Sequence, residues 1–282
     1  MADASLTHGV WLERVPDLVA QCVEEWDLQL GEPYVGGAAG HTHRVQLADG
    51  TPGVLKVWFP HRESEHEAEA LDLWNGEGAV RLFAYDPSRS ALLIERCEPG
   101  TTLSAIGAER ALDVLAELLP RMWKPAGSPF GTLADEAEWW VDYLPSEWER
   151  AGRPFERRIL DAAINALVEL AGTQGEQVLV NQDLHGDNVL AAQREPWLVI
   201  DPTPLIGERE FALAPIVRSD ELGETRADAL YRLDRLTSEL GLDKERARWW
   251  TIGQTLAWST DASRYPQHLE LARWLQIGRA HV

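Results

Sequence analysis

The stretch Asn181-Gln182-Asp183-Leu184-His185-Gly186-Asp187-Asn188, with Val199-Ile200-Asp201 after it, decides the reading of this chain. An aspartate stands five residues before an asparagine, between the apolar runs Val178-Leu179-Val180 and Leu198-Val199-Ile200, and a second aspartate closes the second run. Phosphoryl transfer asks for such a set: one carboxylate to orient a hydroxyl and take its proton, and an amide oxygen with a second carboxylate to hold magnesium. Asp183 is therefore the candidate base, and Asn188 and Asp201 are the candidate metal ligands, neutral and charged oxygen donors for a hard cation. An isolated D-x-x-x-x-N is a weak signal. The apolar runs make this one specific, and they are read as the arms of a small hairpin.

Further toward the amino terminus, Val54-Leu55-Lys56-Val57 places a lysine in mid-strand, where an apolar residue would ordinarily stand. A lysine buried there needs an anionic partner, and in phosphoryl transfer it meets nucleotide phosphates and a helix glutamate. The helix that follows, read over residues 62–75, offers Glu63, Glu65, Glu67 and Glu69. Glu67 is favoured because Ala70, Leu71 and Trp74 follow at spacings that put it beside the buried face. Gly36, Gly37 and Gly40 would let a turn approach phosphates closely. Neither G-x-G-x-x-G nor G-x-x-x-x-G-K-[ST] occurs, so a dinucleotide fold and a P-loop are both unsupported.

Around these residues the chain reads as two parts. Strand patterns at 42–47, 54–59, 80–84 and 91–95 make the first hundred residues β-rich, and Glu98-Pro99-Gly100 breaks the pattern. Beyond it, Leu112, Leu115, Leu118 and Leu119, then Ile159, Ala163, Ala166, Leu167 and Leu170, define helical apolar faces, with two late helices near 221–240 and 243–259. The pattern alone supports α+β in two parts. With the motif beside it, the arrangement is that of bilobal, protein-kinase-like folds, and the expectation is a small β-rich N-lobe over 1–98 that binds nucleotide and a larger, mainly helical C-lobe over 99–282 that carries catalysis and substrate. The run Leu92 to Cys97 would then be the hinge, pairing with adenine through backbone groups of Glu95 and Cys97.

A net charge of −20, from 46 acidic and 26 basic residues, disfavours nucleic acid and suits a cationic small molecule. No apolar run is long enough to span a membrane. The amino terminus lacks a basic stretch with an apolar core, and Cys22 and Cys97 are too few for a disulfide framework, so a cytoplasmic location is expected. The oligomeric state is left open.

With these residues in view, the chain resembles the aminoglycoside/hydroxyurea antibiotic-resistance kinases, the streptomycin 6-kinase-like aminoglycoside phosphotransferases. The likeness rests on residues 181–190, on Trp197-Leu198-Val199-Ile200-Asp201-Pro202, and on Gly207-Glu208-Arg209-Glu210-Phe211. Residues 74–82 and 93–100 resemble that family's amino-terminal lobe, and the likeness covers residues 10 to 275. It implies ATP-dependent O-phosphorylation of an aminocyclitol antibiotic with Mg²⁺, with Asp183 as base and Asn188 and Asp201 on the metal. A housekeeping kinase acting on an amino sugar or another metabolite, and a nucleotide-binding pseudokinase, are the alternatives. Retention of Lys56, Asp183, Asn188 and Asp201 argues against the pseudokinase. The wording departs from His-Gly-Asp of many related kinases at Asn181-Gln182-Asp183, and Asn181 is expected to take over the hydrogen bonds of that histidine. Thr203 stands where a lysine is expected.

The remaining signals are weaker. Glu138, Asp142, Glu208 and Glu210 are candidates for an acidic pocket around a basic sugar, and the thirteen tryptophans are mostly core packing with room for a cation–π contact. His41 and His43 lack a further ligand at metal spacing. Residues 276–282 break the preceding helical pattern without a cap and are expected to be a non-native tail.

Overall fold

The computed structural model describes residues 7–34, 40–60, 62, 65–259 and 266–276. Gly36, Gly37 and residues 277–282 lie outside the described residues. The chain divides into two compact units: residues 1–101 with 190–203, and residues 102–189 with 204–282.

In the first unit, β1 (Gln29–Pro33), β2 (Gly40–Gln46), β3 (Pro52–Trp58), β4 (Leu82–Asp86) and β5 (Ala91–Glu95) form an antiparallel sheet in the order β1-β2-β3-β5-β4. One face is covered by α1 (His8–Glu25), a helix absent from the sequence-based expectation. Its Trp11, Val15, Leu18, Val19 and Cys22 pack against Val45, Leu55, Val57, Ala91 and Leu93. That spacing of four, three, one and three residues is helical. Residue parity along β3 fixes the rest: Leu55 and Val57 face α1, so Lys56 points to the opposite face. The short helix α2 (Glu67–Trp74) buries Ala68, Ala70, Leu71 and Trp74.

Residues 190–203 are read from sequence with the helical part but cluster with the sheet unit, and hydrogen bonding explains why. Val199 donates its N–H to Gly78 O at 2.9 Å and accepts from Val80 N–H at 3.0 Å. The Arg194 guanidinium donates to Gly76 O, Ala79 O and the Glu95 carboxylate at 2.6–3.1 Å.

The second unit is mainly helical: α3 (Ala108–Met122), α4 (Leu133–Arg150), α5 (Arg157–Gly172), α6 (Ala214–Arg218), α7 (Arg226–Leu240), α8 (Lys244–Trp258) and α9 (Pro266–Gln276). The strand pairing differs from the expected hairpin. In this unit β6 (Gln177–Asn181) pairs with β9 (Pro204–Glu208), while β8 (Trp197–Val199), which belongs to the first unit, pairs with β7 (Val189–Ala191). Val178, Leu179 and Val180 are all buried, so β6 needs a partner along its whole length, and the five-residue β9 supplies one where the three-residue β8 would not. Helix α8 runs through the core, and Gly253 lets it approach α5, since an added Cβ would lie 2.5 Å from Leu167 Cδ2. One turn of α8 also braces the loop after β6: Gln254 Nε2 donates to Gln182 O at 2.8 Å. No helix among the described residues is long and apolar enough to cross a membrane.

Candidate active site

The sequence-predicted residues fall into two clusters, one in each unit. In the first, Lys56 Nζ donates to Glu67 Oε1 and Oε2 at 2.9 and 2.8 Å and to Asp201 Oδ1 at 3.0 Å. Glu67, at the first position of the helix and 2% exposed, is the glutamate that meets Lys56, and Glu63 lies outside the described residues. Burial disfavours the Lys56 ammonium, but Asp201 and Glu67 outweigh it and hold its pKa above the ordinary value. Burial lifts the Glu67 carboxyl to about 7, with Lys56 opposing. Asp201 has φ 48, a left-handed conformation that aspartate tolerates better than most residues. Its Oδ1 is engaged by Lys56, and its Oδ2 has no hydrogen-bond partner among the described residues.

A cavity of about 300–1,000 Å³ is the usual size for a small organic ligand, and the first unit has one of about 480 Å³ lined by Val54, Lys56, Ile94, Cys97, Ile200 and Asp201. Glu95 also borders it, yet its carboxylate is taken by Arg194 and by the Arg81 N–H, and its own backbone N–H donates to Arg81 O at 2.9 Å. That N–H is not available to a base. Burial pushes the Cys97 thiol up to about 12, which leaves it unreactive.

The second cluster is built at the end of β6. Asn181 Oδ1 accepts the Asp183 N–H at 3.0 Å and so braces the loop. Asn188 Nδ2 donates to Asp183 O at 2.9 Å and to Asp183 Oδ2 at 3.2 Å. The five-residue spacing thus brings the asparagine back onto the aspartate, with the amide oxygen of Asn188 left as an acceptor. Three residues outside the sequence-based site complete the setting. Arg218 Nη2 lies 3.5 Å from Asp183 Oδ1, and His185 Nε2 lies 3.8 Å from Asp183 Oδ2. His185 Nδ1 meets Glu221 Oε1 at 3.0 Å, and the same oxygen accepts the Gly186 N–H at 2.6 Å. Burial disfavours the imidazolium, but Asp183 and Glu221 overcome it and raise His185 to about 10. Burial likewise opposes ionisation of Glu221, and hydrogen bonding to His185 reverses this, holding it at about 2. Gly186 is required by crowding: a Cβ would sit 3.1 Å from Ser104 N and 3.2 Å from Glu221 Oε1.

Beside this cluster a cavity of about 320 Å³ is lined by Asp183, His185, Arg218, Asp220, Trp258 and His268. The Arg218 guanidinium lies over the Trp258 ring at 4.7 Å, and Asp220 has no ion-pair partner among the described residues. Glu208, proposed for an acidic substrate pocket, is instead 1% exposed and saturated by Arg246, the Trp250 indole N–H and the Gly175 N–H. It is a structural anchor for α8. Glu210 accepts from the Asp243 N–H at the start of α8. No local signal could have found Arg218 or Glu221, because their link to the loop comes from packing across 35 or so intervening residues, as His185 and Glu221 show. His185 stood inside the motif, and its unmatched charge was the available clue.

An antiparallel sheet carrying a lysine–glutamate pair, followed by a helical unit with an aspartate–asparagine loop, defines a protein-kinase-like phosphotransferase. The model of the family described as aminoglycoside/hydroxyurea antibiotic resistance kinase matches residues 26–264, and the chain belongs to that family. It is an ATP-dependent kinase whose acceptor group is a hydroxyl. It is 38% identical over 253 residues to streptomycin 6-kinase of Streptomyces griseus, covering 87% of this chain and 82% of that protein. It is also 38% identical over 252 residues to hydroxyurea phosphotransferase of Kitasatospora aureofaciens, covering 87% and 72%. Among solved structures, choline kinase LicA of Streptococcus pneumoniae matches with TM-score 0.65 at 12% identity, covering 92% of this chain and 99% of that one. Aminoglycoside phosphotransferase APH(4)-Ia, in a ternary complex with ADP and hygromycin B, matches with TM-score 0.60 at 15% identity, covering 93% and 99%. These two likenesses establish the fold.

Proposed function

We propose that this enzyme phosphorylates a hydroxyl of a cationic aminocyclitol antibiotic such as streptomycin, using Mg-ATP, and so confers resistance. The observation that carries the reading is the setting of Asp183. Its carboxylate is held by Asn188 on one oxygen and faces Arg218 with the other, on the wall of a cavity that also presents Asp220 and Trp258. An acceptor hydroxyl donating to Asp183 would be aligned for attack on the terminal phosphate, and its proton would pass to the carboxylate as the new O–P bond forms. Asp220 and the indole face suit a positively charged sugar. Residues 1–98 act in nucleotide binding, with Lys56 on the phosphates and held by Glu67, and with the cavity edged by Glu95 and Cys97 receiving the base. Residues 99–282 carry catalysis and the acceptor.

Asp201 Oδ2 in the first unit and, separately, the Asn188 amide oxygen in the second are hard donors of the kind magnesium takes. A magnesium ion would neutralise phosphate charge. The two free cysteines accord with a cytoplasmic enzyme. Hydroxyurea is a second reading, favoured by equal identity to a hydroxyurea phosphotransferase.

The test is a coupled ADP-release screen against streptomycin, other aminoglycosides, hydroxyurea and amino sugars. Turnover with streptomycin is expected, and turnover confined to an amino sugar or another metabolite would sink the resistance reading. In the same assay Asp183→Ala should lower transfer by about 10²–10⁴-fold while leaving ATP binding intact. A near-normal rate in that variant would remove Asp183 from the mechanism.

A further inference from the structure

Arg232, on α7, is 2% exposed and forms no ion pair with any described carboxylate. Its Nη1 donates to Leu222 O and Gly223 O, each at 2.9 Å, and its Nη2 donates to Val217 O at 2.9 Å. Burying a guanidinium whose hydrogen bonds go to carbonyls is costly, and burial pulls its pKa down to about 10 against the opposing pull of Asp228, Glu221 and Asp220. A cation kept there at such cost calls for a return beyond packing.

The pinned carbonyls give that return a location. Val217 immediately precedes Arg218, and Leu222 immediately follows Glu221. Those two residues are the ones that touch the Asp183 loop, Arg218 at Asp183 Oδ1 and Glu221 at His185 Nδ1 and the Gly186 N–H. The chain on the far side is already rigid, since Thr225 and Asp228 form a reciprocal cap on α7 and Gly223 turns at φ 118 against Asp228. The Arg232 fork ties the two ends of the 217–223 segment to one point. A lysine carries the charge but has one nitrogen and cannot reproduce a planar fork.

We infer that Arg232 is a positioning residue for phosphoryl transfer: by clamping Val217 and Leu222 it holds Arg218 and Glu221 against the loop that carries Asp183. The inference rests on the proposed role of Asp183 as base. A misplacement of about 1 Å at a reacting group lowers rate by as much as 10²-fold, so Arg232→Met should lower kcat with streptomycin by about 10–100-fold. The KM for ATP should stay within about twofold, because Lys56, Glu67 and Asp201 form a separate cluster.

Hydrogen–deuterium exchange over residues 184–190 provides a readout that needs no acceptor. The Gly186 amide should exchange faster in Arg232→Met than in the wild type, and it separates failure of this inference from failure of the substrate reading. Arg232→Lys, which keeps the charge, serves where the methionine variant does not fold and should show the same two defects. Combined with Glu221→Gln, Arg232→Lys should add little further loss in kcat, since both act through one contact. Wild-type exchange at Gly186 in a folded Arg232 variant would overturn the inference. So would full rescue by lysine, or strictly additive losses in the double variant.

Discussion

Replacing His185 with glutamine should remove a pH dependence of stability whose sign and window follow from its surroundings. The imidazole lies between Glu221, at 3.0 Å, and Asp183, at 3.8 Å, and its pKa is raised from 6.5 to about 10. A group raised in the folded state adds stability that is fully present below its unfolded pKa and is lost as pH rises through the folded one. From about pH 7 to pH 9 the folded protein keeps a proton that the unfolded chain has released, and linkage gives a loss of about 2.5 kcal/mol across that span. The ring is 25% exposed and Asp183 32% exposed, so solvent screening brings the expected figure to about 1–2 kcal/mol.

Other shifted groups set a background shared by both proteins. Glu67, raised to about 7, and Cys22 and Cys97, raised from 9.0, also titrate toward this range, while His43 and His268 have lowered pKa values and act below 6.5. The difference between wild type and variant is therefore what isolates His185. Urea unfolding followed by tryptophan fluorescence, at several pH values between 7 and 9, measures the slope. The wild type should lose stability across the series, His185→Gln should be flat by comparison, and the gap between the two should narrow by about 1–2 kcal/mol from pH 7 to pH 9. A variant destabilised by the same amount at every pH would show that His185 is not held as an imidazolium, and the reasoning from its two carboxylates would fail.

Glu67→Gln removes one of the two carboxylates that hold Lys56. It should raise the KM for ATP or lower kcat by about tenfold or more while leaving the acceptor KM unchanged, as steady-state kinetics with each substrate varied in turn will show. Glu208→Ala leaves the Arg246 guanidinium and the Trp250 indole N–H without their buried acceptor, and should cost about 3–5 kcal/mol in calorimetric unfolding. Glu208→Gln keeps the shape and should cost less, and equal losses in the two variants would point to packing in place of charge.

What the sequence made legible was what depends on short spacing. Asp183 and Asn188 are one turn of loop apart, so their meeting is encoded locally, and the structure places the amide 3.2 Å from the carboxylate. Lys56 and Glu67 are separated by eleven residues, yet strand parity and the helical phase of Ala70, Leu71 and Trp74 single out the glutamate that reaches it. The small hairpin was misread because apolar runs announce strands without naming partners. β6 chose β9 over β8 by length of buried edge, which no local pattern states. The apolar stripe of helix α1 stands in the sequence at helical spacing, with Pro16 inside it masking the pattern.

The residues that set the electrostatics of Asp183 were hidden for a different reason. Arg218, Glu221 and Arg232 belong to a segment whose own pattern is an ordinary helix end and turn, and an arginine there reads as solvated surface. Packing inverts that reading. Arg218 is 10% exposed and Arg232 2% exposed, so each charge must be answered by specific partners, and these include Asp183 for the first and three backbone carbonyls for the second. The opening motif therefore names the groups proposed to react, while the burial of cations 30 to 50 residues downstream specifies how those groups are held. The second half of the site is a product of tertiary desolvation, and a change of solvent exposure at Arg232 should be felt at Asp183 without any change in the motif itself.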